Sequence, residues 1–204
     1  MNYPCIVVDD FLLDPTYVRN FALQETDLVQ IQQSDGKPFR GLRSSHMVDI
    51  NKKIFSEVIE KIALVYPVPI SYNKNHMEFQ LTDSTWAGPG WVHSDWCTLT
   101  CILYLTPNPC EGSGTSLFIG KTQDTLNIND DIKKIGNKDA SLRKTEEYIK
   151  ARQENNDQFI KTMQVNNFFN RMFIFPGNTF HSADSFFGNS PETNRLTLAT
   201  FIYS

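Results

Sequence analysis

Between residues 77 and 203 the chain is a series of short β-forming runs separated by proline, glycine and asparagine. Met77-Glu78-Phe79-Gln80-Leu81 alternates apolar and polar side chains, the pattern of a half-buried strand. Thr98 to Leu105, Thr115 to Ile119, Met172 to Phe175, Phe180 to Ser182 and Leu196 to Tyr203 are rich in β-branched and aromatic residues. Turn residues lie between them, as in Pro107 to Gly114. Many short strands closed by turn signals predict a β-sandwich or barrel.

The N-terminal third is helical by contrast. After a short strand at Ile6 to Val8, Asp14-Pro15 supplies an N-cap and a first-turn proline. Tyr17, Val18, Phe21 and Ala22 follow at helical spacing. Residues 30–50 are polar and read as loop or short strands. A second helix is predicted over about 52–65, with Ile54, Phe55, Val58, Ile59, Ile62 and Ala63 on one stripe and Pro67 and Pro69 beyond its end. The expected fold class is therefore mainly β with flanking helices.

One stretch breaks the pattern. Residues 121–161 carry 9 basic and 8 acidic side chains in 41 positions, about twice the charged fraction of the chain, 21%. Helical propensity is concentrated in Ser141 to Met163. This reads as a solvated insertion within a single domain spanning 1–204, either a surface excursion or a lid or partner-binding element.

Composition narrows the function. The net charge is −4, which gives no global positive field and argues against nucleic acid as partner. No apolar run is long enough to span a bilayer, and the first residues lack a basic start, so a cytoplasmic, membrane-free setting is expected. Cys5, Cys97, Cys101 and Cys110 lack zinc-ribbon spacing, and Cys97 and Cys101 read as thiols of an apolar run.

The chemistry concentrates at His93-Ser94-Asp95, between a Gly-Pro-Gly loop and the strand at 98–105. In extended backbone, residues two apart share a face, so one imidazole and one carboxylate can address one ion. His181, after a strand and a tight turn, is the candidate third ligand. Two imidazoles and a carboxylate leave three octahedral positions open, as non-haem iron(II) oxygenases require. A lone His-x-Asp is also what a satisfied surface pair looks like. Arg195, 14 residues after His181, opens an apolar strand, and a buried cation needs an anionic partner. That partner is either Asp184 or Glu192, or a dicarboxylate ligand held bidentately.

Several segments together resemble a known family. These are Trp91-Val92-His93-Ser94-Asp95, Thr100 to Leu105, Glu111-Gly112-Ser113-Gly114-Thr115, Asn170 to Gly177 with His181, and Arg195-Leu196-Thr197. In this order they resemble the 2-oxoglutarate- and iron(II)-dependent dioxygenases of the prolyl-4-hydroxylase-like group. Val8-Asp9-Asp10-Phe11-Leu12 and the helix after it resemble that group's N-terminal part. The resemblance spans most of the chain outside 121–161. It implies a double-stranded β-helix, a cupin-like jelly roll, with His93, Asp95 and His181 holding Fe(II). It also implies that 2-oxoglutarate chelates the iron, with Arg195 on its far carboxylate. Tyr104 matches a position whose phenol helps bind that carboxylate, or it is a core tyrosine. Thr197 shares the face of Arg195, and Phe201 would line the pocket.

The implied reaction couples O2 and 2-oxoglutarate to hydroxylation of a C–H bond, releasing succinate and CO2. Retention of Asp95 argues against halogenation, in which chloride takes the carboxylate's place. The gaps 95–181 and 181–195 are longer than usual for the family and imply loop insertions. The substrate is expected to be a peptide or protein side chain or a small molecule. Trp91 and Trp96 form either an aromatic wall for it or packing; Trp86 reads the same way. His46 and His76 have no partner at ligand spacing. Arg40 and Arg43 face either an anionic substrate or solvent. Two other classes remain: a cupin-like metal protein with non-oxidative chemistry, and a non-catalytic binding module.

Overall fold

The computed structural model describes residues 5–29, 41–66, 74–86, 88–122, 125 and 140–203. The expectations for 30–40 with Arg40, for Pro67 and Pro69, and for 126–139 lie outside the described residues.

Two antiparallel sheets carry the strands. The larger contains β1 (Ile6–Val8), β2 (Leu42–Arg43), β3 (His76–Thr82), β4 (Leu99–Tyr104), β7 (Met172–Pro176) and β9 (Arg195–Ile202), in the spatial order β1-β7-β4-β9-β3-β2. The smaller contains β5 (Gly114–Gly120), β6 (Phe159–Asn166) and β8 (Phe180–Ala183), in the order β6-β5-β8. Together they form a double-stranded β-helix.

Strand alternation sorts the side chains between two cores. On β4, β7 and β9, Leu99, Cys101, Leu103, Met172, Ile174, Leu196, Leu198 and Ile202 point away from the small sheet. They meet the apolar faces of α1 (Pro15–Gln24) and α3 (Lys52–Val65), including Val18, Ala22, Phe55, Val58 and Ile62. The intervening residues Tyr104, Phe173 and Phe175 join Leu117 and Val165 between the sheets. Because each of these strands is covered on both faces, its sequence reads as a near-continuous apolar run.

The predicted helix starts hold: Asp14 Oδ1 accepts from Tyr17 N at 2.9 Å, and Asn51 Oδ1 from Ile54 N at 3.1 Å. A short α2 (Met47–Ile50) precedes α3.

The charged stretch differs from its reading. Helix α4 (Glu146–Asn156) occupies part of the helical prediction, but Phe159 to Met163 belongs to β6, paired with β5 along its length. As an edge strand, β6 keeps five consecutive residues, Ile160 to Gln164, exposed. That polarity hid it from a pattern search. Arg43 also departs from the solvent alternative: it is buried, with its guanidinium paired to Glu78 on the inner face of the large sheet.

Candidate active site

His93 ends an extended segment, 90–93, that lies against β8. His93 N donates to the His181 carbonyl at 3.0 Å, and His181 N donates to the His93 carbonyl at 2.7 Å. This reciprocal pair brings the two rings to a centroid separation of 4.4 Å. Asp95 follows on a loop docked to the β7–β8 turn: its N–H donates to the Gly177 carbonyl at 2.7 Å, and Gly177 N donates to Thr98 O at 3.1 Å. Glycine is required there, because a Cβ at Gly177 would collide with the carbonyl and Sγ of Cys97.

The three side chains expected to meet do meet. One potential ligand atom from each of His93, Asp95 and His181 lies within 4.8 Å of the others. Their hydrogen bonds determine what they can hold. His93 Nδ1 lies 2.9 Å from the Trp91 carbonyl, and His181 Nδ1 lies 2.9 Å from the Thr179 carbonyl. A carbonyl only accepts, so each Nδ1 carries its hydrogen, which leaves Nε2 as the ring nitrogen available to a metal. Those nitrogens face a carboxylate: Nε2 of His93 is 3.7 Å from Asp95 Oδ1, and Nε2 of His181 is 3.4 Å from Oδ2. A cation placed among them would be met by two ring nitrogens and a carboxylate at once. The donor set and its backbone supports therefore fit a divalent ion of the iron(II) type.

Burial opposes the charge on Asp95. His181, His93, a hydrogen bond from Thr100 Oγ1 at 2.7 Å and the charge of Arg43 outweigh it and keep the carboxyl below its ordinary pKa. His181 is buried, whereas the His93 side chain is about one-third exposed, at 32%. The site thus opens on the His93 side.

Arg195, Thr197 and Phe201 alternate along the inner face of β9. Thr197 pairs in register with Tyr104 and Phe201 with Thr100, so the row containing Phe201 is the one beside Asp95. The Arg195 guanidinium is buried over the Tyr104 ring, with Cζ 5.7 Å from the centroid. Neither Asp184 nor Glu192 forms an ion pair with it. Asp184 Oδ1 binds Lys161 Nζ at 3.0 Å, and Glu192 is exposed. Among the described residues nothing accepts from Arg195 Nε or completes the Thr197 hydroxyl. A buried cation with an idle hydroxyl beside it fits an anionic ligand. Tyr104 has both features weighed for it: it is a buried core residue whose hydroxyl is engaged, donating to Thr115 Oγ1 at 2.8 Å. Burial pushes its phenol up to about 12.

The tryptophans separate. Trp96, next to Asp95, is 99% exposed and borders a depression of about 300 Å³ that also touches Asp95, Cys97 and Tyr203. Of the two readings weighed for Trp91 the structure favours packing over a substrate wall: it is buried against α4, its indole donating to Tyr148 Oη at 2.9 Å. Cys97 and Cys101 are free thiols, and burial pushes Cys97 up to about 11.

A family profile matches residues 1–202. The chain belongs to DUF6445, a family of unknown function. No curated protein matches this DUF6445 chain in sequence. Solved structures do match it in shape. One is a prolyl hydroxylase from Trichoplax adhaerens in complex with a hypoxia inducible factor peptide fragment: TM-score 0.55, 14% identity, covering 98% of this chain and 83% of that one. Another is the non-heme alpha ketoglutarate dependent epimerase SnoN of nogalamycin biosynthesis: TM-score 0.58, 12% identity, coverage 98% and 77%. A third is the carbocyclase SnoK of the same biosynthesis: TM-score 0.56, 12% identity, coverage 98% and 80%. At these identities the likeness establishes the fold. The DUF6445 chain has the fold of the 2-oxoglutarate oxygenases. No helix among the described residues is long and apolar enough to cross a membrane.

Thr100, Asn155 and Asn156 were not singled out from the sequence. Thr100 carried a signal of sorts, a hydroxyl facing inward on the strand five residues after Asp95. The asparagines lay in a stretch whose polarity concealed a buried helix face.

Proposed function

We propose that this protein is an Fe(II)- and 2-oxoglutarate-dependent dioxygenase that hydroxylates a C–H bond of a peptide or small-molecule substrate. The observation that carries the reading is the convergence of two Nε2 atoms on the two oxygens of one carboxylate, with each Nδ1 turned to a backbone carbonyl. His93, Asp95 and His181 are the metal ligands. When bound, iron with 2-oxoglutarate supplies oxidation by O2, with succinate and CO2 released.

The chain's own groups do the rest. The Trp91 and Thr179 carbonyls fix both imidazoles in the ligating tautomer. Thr100 Oγ1 holds Asp95 Oδ2 and sets the carboxylate's rotation. Arg195 receives the distal carboxylate of the keto acid, with Thr197 beside it, and Tyr104 lines the same wall. Phe201 and Trp96 face the substrate, at the inner row and the outer rim. The fold allows more than one outcome at such a centre, so the substrate class rests on the depression of about 300 Å³ beside Trp96 and Asp95 and on the net charge of −4, which disfavours nucleic acid.

The test is an anaerobic titration with Fe(II) and then 2-oxoglutarate. The expected result is a visible charge-transfer band, followed in air by succinate release across a panel of peptides and metabolites. Metal binding without any response to 2-oxoglutarate would replace this reading with non-oxidative cupin-like chemistry. No metal binding would leave a jelly-roll binding module.

A further inference from the structure

The segment 90–93 that carries His93 has two edges, and only one meets a strand. On the His93 edge, β8 supplies the backbone pair with His181. On the other edge, the carbonyl of Gly90 and both polar backbone groups of Val92 meet side chains of α4. Asn156 Oδ1 accepts from Val92 N at 2.9 Å, and Asn156 Nδ2 donates to the Gly90 carbonyl at 2.9 Å. Asn155 Nδ2 donates to the Val92 carbonyl at 3.2 Å and to Asn156 Oδ1 at 3.1 Å. A carboxamide has the donor and acceptor of a peptide group, so two consecutive asparagines do here what a neighbouring strand would do. Asn155 is 1% exposed, so its bond to Val92 is shielded from competing water, and the bonds of the half-buried Asn156 lie beside it.

The contact extends along the helix. Tyr148 packs edge-on against Trp91, with ring centroids 5.6 Å apart, and accepts its indole N–H. Tyr148, Ala151, Arg152 and Asn155 form the buried face of α4 at helical spacing. A Cβ on Gly88 would press on the Arg152 guanidinium, so the helix also lies close to the loop ahead of Trp91. The carbonyl that fixes the His93 tautomer belongs to Trp91, inside the clamped segment.

We propose that α4 is a positioning element of the metal site. Asn155 and Asn156 fix the backbone of 90–92, and through it the orientation and Nδ1 partner of His93. The inference rests on the proposed metal reading. It gives the charged stretch between β5 and β6 a function in metal binding.

The test is titration of the full chain with Co(II), a redox-stable stand-in for Fe(II). The d–d spectrum reports coordination, and unfolding of the metal-free protein is followed alongside. Asn156→Ala and the double variant N155A/N156A should lose roughly tenfold to a hundredfold in Co(II) affinity while folded, as lost supports of a metal ligand do. Their d–d band should shift or weaken. Glu154→Ala, on the exposed side of α4, should leave affinity and spectrum unchanged. Tyr148→Phe, which removes only the bond to Trp91, is the variant of record should the asparagine variants fail to fold, and should lose affinity in the same direction. A lower unfolding midpoint with unchanged Co(II) affinity and spectrum would show α4 to be structural only and overturn the proposal. Full Co(II) affinity in His93→Ala is a separate failure, which would remove the metal reading itself.

Discussion

Thr100 Oγ1 donates to Asp95 Oδ2 at 2.7 Å, from a side chain that is itself 1% exposed. The bond comes from the inner face of β4 and fixes the carboxylate against the two imidazoles. Thr100→Val keeps the shape and removes the donor. The expected loss in Fe(II) affinity is roughly tenfold to a hundredfold. Asp95→Ala should remove nearly all metal affinity and all turnover. Metal binding by calorimetry under nitrogen checks both, and equal affinities for wild type and Thr100→Val would show that the hydroxyl does not orient the ligand.

Arg195 invites a prediction with two opposite signs. Burial presses its protonated form, with Tyr104 and Asp184 opposing in part, and no anion among the described residues forms an ion pair with it. Arg195→Met removes an unpaired buried cation, so the ligand-free protein should become more stable, by about 1 kcal/mol or more. The same change should abolish the thermal stabilisation given by 2-oxoglutarate, since a lost buried charge contact costs about 2–5 kcal/mol of affinity. Iron affinity should change little. A melting curve with and without the keto acid reads all three. Unaltered 2-oxoglutarate stabilisation would take Arg195 out of its role.

Much of this architecture was legible in the chain, for physical reasons that differ from element to element. The meeting of His93, Asp95 and His181 was legible because few residue types suit a metal and the three stand at a recognisable spacing, although Asp95 reaches the histidines from a loop and not by strand alternation. Strands β4, β7 and β9 were legible because burial on both faces demands apolar β-formers. β6 was not, because an edge strand exposed on both faces over five residues looks like a solvated segment. The buried face of α4 was not, because three of its four buried residues, Tyr148, Arg152 and Asn155, carry polar groups, and Tyr148 and Asn155 bury theirs through hydrogen bonds instead of an apolar stripe. Trp91 stayed open between packing and a substrate wall for the same reason, since its partner Tyr148 lies in that helix.

His76 gives a pH dependence. Burial, then the nearby His46 and Arg43, push its imidazole down to about 4, while its Nε2 lies 3.1 Å from Glu78 Oε2. The folded state thus holds His76 neutral, and the unfolded chain protonates it near 6.5. Between those values the unfolded state binds more protons, so stability rises with pH. His76 contributes fully above about 6.5, and its contribution is lost as pH falls toward about 4. The side chain is 43% exposed, and solvent screens the effect. Urea unfolding of His76→Gln across this window should show a flatter pH profile than wild type. Identical slopes would assign the acid sensitivity to other groups.

Trp96 stands almost wholly in solvent, at 99% exposure, one residue from Asp95. Such a large ring gains nothing for folding there, so Trp96→Ser should change unfolding stability by less than about 0.5 kcal/mol. Iron and 2-oxoglutarate affinities should also be unchanged, because none of their proposed contacts involves the indole. What should change is the step that needs the substrate. An aromatic face at the rim of an open site gains its contacts only when a ligand covers it. With a turned-over substrate in hand, Trp96→Ser should raise KM several-fold and uncouple succinate release from product formation. Kinetics that match wild type in both measures would place the substrate on another side of the metal, toward Phe201 and the Arg43–Glu78 pair on the inner face of the large sheet.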